Sequence, residues 1–241
     1  MKKLLFAMAV GVLAVGLVAC SAKKKEDNKI NNEVSDAIKF KESYEALNGV
    51  KREKDGKIIR TVDIPEDNMI VIKSADELVQ MMDNKKSFVV YFGFADCPWC
   101  RSMVETMIQT AKDSNVSTIY YVDVKEIRNK LELDDNNEVV ESTKGSDCYY
   151  ALLERLDNVL NAYELTTKDG DVIDSQTKRI YAPNLVAIKD GEALGLVDGT
   201  SQLQTDAYEE LTPEMISDMS DIMNFLFALV KEDGACDVRG C

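Results

Sequence analysis

The run Ser87-Phe88-Val89-Val90-Tyr91-Phe92-Gly93-Phe94-Ala95-Asp96-Cys97-Pro98-Trp99-Cys100 decides how this chain is read. Residues 87–93 carry no charge and are rich in β-branched and aromatic side chains, the pattern of a strand buried on both faces. Cys97 follows closely and opens a stretch in which Met103, Val104, Met107, Ile108 and Ala111 recur at helical spacing. Two cysteines therefore stand at a strand-to-helix junction. There, free backbone N–H groups and the helix dipole stabilise a thiolate and lower a cysteine pKa well below ~8.5. The two intervening residues put the second sulfur one turn on, within reach of a disulfide. Cys97 is the expected nucleophile toward a substrate disulfide, and Cys100 the expected resolving thiol. The pair also admits a permanent structural disulfide, half of a zinc site completed by Cys236 and Cys241, or a fold that keeps its cysteines and only binds a partner.

Working outward, strand and helix patterns alternate. Met69 to Ile72 is a short apolar strand, and Ser74-Ala75-Asp76-Glu77 reads as a capping box opening a helix with Leu78, Val79, Met81 and Met82. Val116 to Val122 predicts a third strand. A polar stretch runs from Lys125 to Gly145, then a helix is expected near Tyr149 to Ala162. Asn184 to Ile188 and Ala193 to Val197 flank Asp190-Gly191 as an antiparallel hairpin. Thr212-Pro213 caps a last helix carrying Met215, Ile216, Met219, Ile222, Met223, Phe225 and Leu226. The fold class is α/β: a central mixed sheet flanked by helices.

Composition narrows the chemistry. The 241 residues include 29 Lys and Arg, 43 Asp and Glu, six Cys and no His, for a formal charge of −14. Without histidine, Ser-His-Asp and Cys-His catalysis, His-ligated zinc and a histidine general base are excluded. The acidity argues against nucleic acid, which needs clustered Lys and Arg. Asp134-Asp135-Asn136-Asn137-Glu138 hints at a calcium loop, but Val139 occupies the position that demands glycine, so a solvated acidic loop is expected. Gly191, Gly195 and Gly199 precede no helix and make no phosphate cradle. Neither a cofactor nor a metal is expected.

The ends carry different signals. Lys2 and Lys3, the apolar run Leu4 to Val18 and small Ala19 form an export signal over residues 1–19. Leu17-Val18-Ala19-Cys20 resembles the lipobox of bacterial lipoproteins, which implies lipidation of Cys20, a membrane-anchored location facing the extracytoplasmic side, and a mature charge of −16. Residues 20–45 read as a flexible tether, and 46–68 as an N-terminal extension with a hairpin at Asp55-Gly56. Residues 21–60 carry net +3 and residues 61–241 net −19, and Lys23, Lys24 and Lys25 would meet anionic headgroups. In the 232–241 tail, Cys236 and Cys241 are expected to close a local disulfide in an oxidising exterior, with an electron-shuttle role as the other reading. Cys148 is left odd and is expected to be buried at a helix start as a small hydrophobe.

Val89 to Gly93 leading into Cys97-Pro98-Trp99-Cys100, with Ala182-Pro183 before the Asn184 strand and the Asp190-Gly191 turn, resembles the thioredoxin superfamily. The resemblance covers about residues 69–231, with the 125–147 segment inserted before the proline half. It implies that Pro183 is cis and faces the sulfurs, with Trp99, Ala182 and Pro183 holding substrate and Pro98 shaping the active-site loop. The chain is similar, less specifically, to Gram-positive thioredoxin-like lipoproteins and bacteriocin-transport accessory proteins. It departs from the pattern where thioredoxins hold a buried acid, since Tyr91 stands there. Asp96 would disfavour a Cys97 thiolate, whereas Arg101 would favour it. The expected function is thiol-disulfide exchange with exported protein partners, their identity and the direction of electron flow left open. The alternative is a non-catalytic accessory or binding lipoprotein.

Overall fold

The computed structural model describes residues 34–53 and 55–231. The expected signal, Cys20 and the Cys236/Cys241 pair lie outside the described residues. Five strands make the central sheet: β1 (Ile70–Ile72), β2 (Phe88–Gly93), β3 (Ile119–Asp123), β8 (Asn184–Lys189) and β9 (Glu192–Val197), in spatial order β1-β3-β2-β8-β9. β1 and β2 run parallel to β3 between them, whereas β8 pairs antiparallel with β2 and β9 with β8. Every residue of β2 is buried, as its uncharged sequence requires of a strand covered on both faces.

Helices cover both faces. α3 (Pro98–Asp113) and α5 (Pro213–Ala228) pack on each other and, with α1 (Asp36–Glu45), bury Val89, Tyr91, Ile119 and Tyr121. α2 (Ala75–Asp83) and α4 (Asp147–Arg155) cover Val90, Phe92, Val122 and Val186 on the other side. The Ser74 cap forms as read: Ser74 Oγ accepts the Glu77 N–H at 3.2 Å, and Glu77 Oε2 accepts the Ser74 N–H at 2.9 Å. No helix among the described residues is long and apolar enough to cross a membrane.

Three expectations are corrected. The tether does not extend to residue 45, because Asp36–Glu45 is helix α1, capped by Ser35 and anchored by fully buried Phe40 and Tyr44. Those two side chains lie four residues apart, one turn of helix, so a mostly polar segment still presents an apolar contact. The extension after it also belongs to the core, with Ile59, Val62 and Ile64 buried. Its hairpin at Asp55-Gly56 is present, closed by the Lys51–Ile58 bridge. Between β3 and β8 the chain, expected to hold a polar stretch and one helix, also holds two ribbons. One is β4 (Lys130–Leu133) with β5 (Val139–Thr143), and the other β6 (Asn161–Thr166) with β7 (Val172–Arg179). Helix α4 stops at Arg155, short of Ala162. The calcium-like run is the β4–β5 turn, in which Asp134 Oδ1 accepts the N–H groups of Asn136 and Glu138.

Candidate active site

The junction after β2 sets the geometry. The Cys97 N–H donates to Phe94 O at 3.2 Å, and Cys97 is itself the N-cap of α3. Pro98 takes the first helical position, where its fixed φ suits the helix and its missing N–H costs nothing. The Cys97 sulfur accepts the Cys100 N–H at 3.3 Å, and the Trp99 N–H also points at it. Across from these donors, the Cys97 S–H donates to Ala182 O at 3.1 Å. The Ala182-Pro183 bond is cis. A groove of about 280 Å³ opens beside the pair, lined by Trp99, Tyr181, Ala182, Pro183 and Asn184 among others. The residues read from sequence as a site therefore meet in one place.

The two thiols have opposite character. Cys97 is held below the ordinary thiol range by the Cys100 S–H that donates to it, by the Cys100 and Trp99 N–H groups and by the charge of Arg128. Burial works against this and is overcome. Cys100, fully buried, is pushed well above the ordinary range by burial first and then by its hydrogen bond and charge coupling to Cys97. Ionising Cys97 forfeits its bond to Ala182 O and strengthens the N–H bonds to the sulfur. The site thus stores one proton on the inner thiol and leaves the outer one, itself 5% exposed, the readier to ionise.

Tyr91, six residues before Cys97, is joined behind the thiols by a second tyrosine, Tyr44. The Tyr91 hydroxyl is 2.8 Å from the Tyr44 hydroxyl and also hydrogen-bonds Cys100, which lowers the Cys100 pKa against the larger effect of burial. Both tyrosines are fully buried. Burial pushes both phenols well above their ordinary range, so they act as neutral hydrogen-bonding groups rather than as bases. Gly93 makes room for this arrangement: a Cβ there would lie 2.4 Å from the Tyr91 hydroxyl oxygen. Tyr44 comes from α1, a helix the sequence reading had placed in the tether.

The cation next to the thiolate is not Arg101. That side chain turns into the core, with 1 % of its surface exposed, and donates to the carbonyls of Tyr44 (2.8 Å), Arg60 (2.7 Å) and Ala95 (2.9 Å) and to Asn48 Oδ1 (2.6 Å). Its charge is dispersed over acceptors that tie the extension to α3. Arg128, 31 positions along the chain from Cys97, takes the role instead. No local motif announces it, because it reaches the site through the turn after β3. Asp96 is paired with Lys125 at 2.8 Å, which offsets its effect on the thiol. Cys148 is half-buried in the first turn of α4, beside Ser146 Oγ at 3.1 Å.

No protein-family model matches this chain, and no curated protein does. Among solved structures it is similar to thioredoxin O1 of Arabidopsis thaliana in the oxidised state, at 18% identity and a TM-score of 0.34, over 68% of this chain and all of that one. It is likewise similar to thioredoxin O2 of the same plant in the oxidised state, at 15% identity and a TM-score of 0.33, over 68% of this chain and 96% of that one. Likeness at this level carries nothing about activity.

Proposed function

We propose that the chain is a thiol-disulfide oxidoreductase working on exported proteins, anchored to a membrane through Cys20. One observation carries the redox reading: a lowered thiol and a raised thiol share a helix start, beside a groove and a proline loop. In the reducing direction, the Cys97 thiolate attacks one sulfur of a substrate disulfide. A Cys97–substrate S–S bond forms, the substrate bond breaks, and the leaving sulfur takes a proton. Cys100 then gives up its proton and attacks the Cys97 sulfur. The Cys97–Cys100 disulfide forms and the second substrate thiol leaves, so two electrons pass to the substrate. Run backwards, the same steps oxidise a dithiol. The direction is fixed by the reduction potential of the pair, where 30 mV corresponds to about 1.4 kcal/mol.

Insulin reduction and refolding of scrambled ribonuclease test the activity. Cys97→Ser should abolish both; unchanged rates would leave only the binding-protein reading. Labelling with a palmitate analogue tests the anchor, and the label should vanish in Cys20→Ala. A labelled Cys20→Ala variant sinks the anchor.

A further inference from the structure

The groove beside the thiols holds one charge. Trp99 and Tyr181 supply its aromatic surface, and of all its lining side chains only Asp198 is charged at neutral pH. The sheet register explains how Asp198 comes to lie there. β9 pairs antiparallel with β8 through Val197 and Leu185, so the next residue, Asp198, stands across from Asn184, which directly follows Pro183. Neighbouring strands lie about 5 Å apart. On the other side of Pro183 is Ala182, whose carbonyl oxygen is 3.1 Å from the Cys97 sulfur. A peptide whose disulfide meets Cys97 thus brings its neighbouring side chains within reach of this carboxylate.

The carboxylate is held in place yet only half used. The Thr200 N–H donates to Asp198 Oδ1 at 3.0 Å. Gly199, at φ +70°, presses so closely on the core that a Cβ there would stand 2.7 Å from Met103 Cε. Among the described residues no Lys or Arg pairs with Asp198, and its Oδ2 has no donor. Asp83, Asp96, Asp157 and Asp206 each hold a cation of this chain. Arg179 lies 5.6 Å from the Tyr181 ring centroid but does not line the groove. A spare carboxylate oxygen beside aromatic rings suits an ammonium or guanidinium, which it binds by a charge-assisted hydrogen bond while the stem and charge lie against the rings.

We propose that Asp198 selects the substrate: the groove seats a Lys or Arg side chain next to the reacting cysteine, so disulfides with a basic flank are exchanged in preference to acidic ones. The proposal rests on the oxidoreductase reading above and names its substrate class, basic polypeptide segments that carry a disulfide.

Exchange kinetics on model disulfide peptides test it, with Lys, Gln or Glu placed in turn at the two positions on either side of the cysteine. At the best position the wild type should prefer Lys over Gln by about fivefold in kcat/KM, the order of one exposed ion pair. Glu should be the slowest of the three. The ratio should fall to about one in Asp198→Asn, which keeps an acceptor for the Thr200 N–H, and Asp198→Lys should favour Glu. Residues 61–241 carry net −19, so a general attraction for cations is the rival cause. Asp113→Asn measures it, because Asp113 ends α3 about 22 Å along the helix from the thiols; that variant should keep the wild-type ratio. A wild-type ratio near one, a ratio that survives Asp198→Asn, or one that falls equally in Asp113→Asn overturns the assignment. If no peptide is exchanged at all, the oxidoreductase reading fails first. The groove is then read by titrating the fluorescence of Trp99, the chain's one tryptophan, with cysteine-free Lys and Gln peptides, where equal affinities overturn the proposal.

Discussion

On one side of β2, Phe88, Val90 and Phe92 meet Leu78, Leu152, Leu156 and Ile188, largely hydrocarbon, with the Tyr149 hydroxyl accepting the Ile180 N–H and the Tyr120 ring edge-on to Phe88. On the other side, Val89 and Tyr91 meet Phe40, Tyr44, Cys100 and Tyr121, so hydroxyls and a thiol are buried against one another. The same six-residue strand supplies both surfaces. The first face stabilises the fold in the ordinary way, by removing apolar area from water. The second gives up some of that uniformity to keep one thiol protonated and a neighbouring one ready to ionise. A thiol site of this kind is therefore a property of one face of one strand, backed by a face that does little besides hold it flat.

That contrast can be broken most severely at Phe92. Phe92→Ala leaves a cavity on the hydrocarbon face and should cost about 3–5 kcal/mol of stability by urea unfolding. The pH midpoint of Cys97 alkylation should not move; a shift would mean the two faces are not separable. Tyr91→Phe, on the opposite face, strands the Tyr44 hydroxyl and should cost about 1–3 kcal/mol. It also removes a bond that lowers the Cys100 pKa, so the mixed disulfide should resolve more slowly and accumulate in non-reducing gels during turnover. Fast resolution would mean that the hydroxyl only packs.

The pH dependence sharpens the contrast between the thiols themselves. Cys97, lowered in the folded state, adds stability that is full above its unfolded pKa and lost as pH falls through its folded value. Cys100, raised, adds stability that is full below ~8.5 and lost as pH rises toward its folded value, at up to about 1.4 kcal/mol per pH unit. The reduced protein should be most stable near pH 8.5, and Cys100→Ala should remove the decline between about pH 8.5 and 10, below the range where the buried phenols contribute, together with the share of acid-side stability that its S–H lends Cys97. A decline that persists in Cys100→Ala shifts the cause elsewhere. The smallest effect is expected at the cap of α2. Ser74→Ala should cost about 1 kcal/mol and leave the thiol chemistry untouched.

What could be read beforehand follows from how local the signals are. The buried strand, the Cys97-Pro98-Trp99-Cys100 helix start, the Ser74 capping box and the Asp190-Gly191 turn each lie within a few consecutive residues, and each was legible. Ala182-Pro183 was placed by resemblance alone. Arg128 and Tyr44 reach the site through the fold, and no spacing in the chain announces them. Arg101, adjacent to the motif, was given the role of Arg128 because sequence proximity stood in for distance. Helix α1 was missed because only Phe40 and Tyr44 anchor an otherwise polar segment. The β6–β7 ribbon was missed although Asp169-Gly170, with Gly170 at φ +93°, is a strong hairpin signal. Its strands are polar and largely exposed, so they lacked the alternation that would have confirmed the turn.

The Arg101 clamp has a mechanical consequence. Four hydrogen bonds bind the guanidinium to Tyr44, Asn48, Arg60 and Ala95, joining the first described helix to the start of α3. Tension applied on the N-terminal side of α1 would load the bond from the Ile72 N–H of β1 to Asp36 Oδ2 first, and would then run along the helix to the Arg101 bonds. Peeling α1 from the sheet would part Tyr44 from Tyr91, and with it the hydroxyl pair behind Cys100. Under load, then, the chain would behave as a fuse: its thiol pair would detune while its sheet still held. Single-molecule pulling from residue 34, combined with Cys100 labelling, should find the inner thiol reactive at forces below those that unfold the domain.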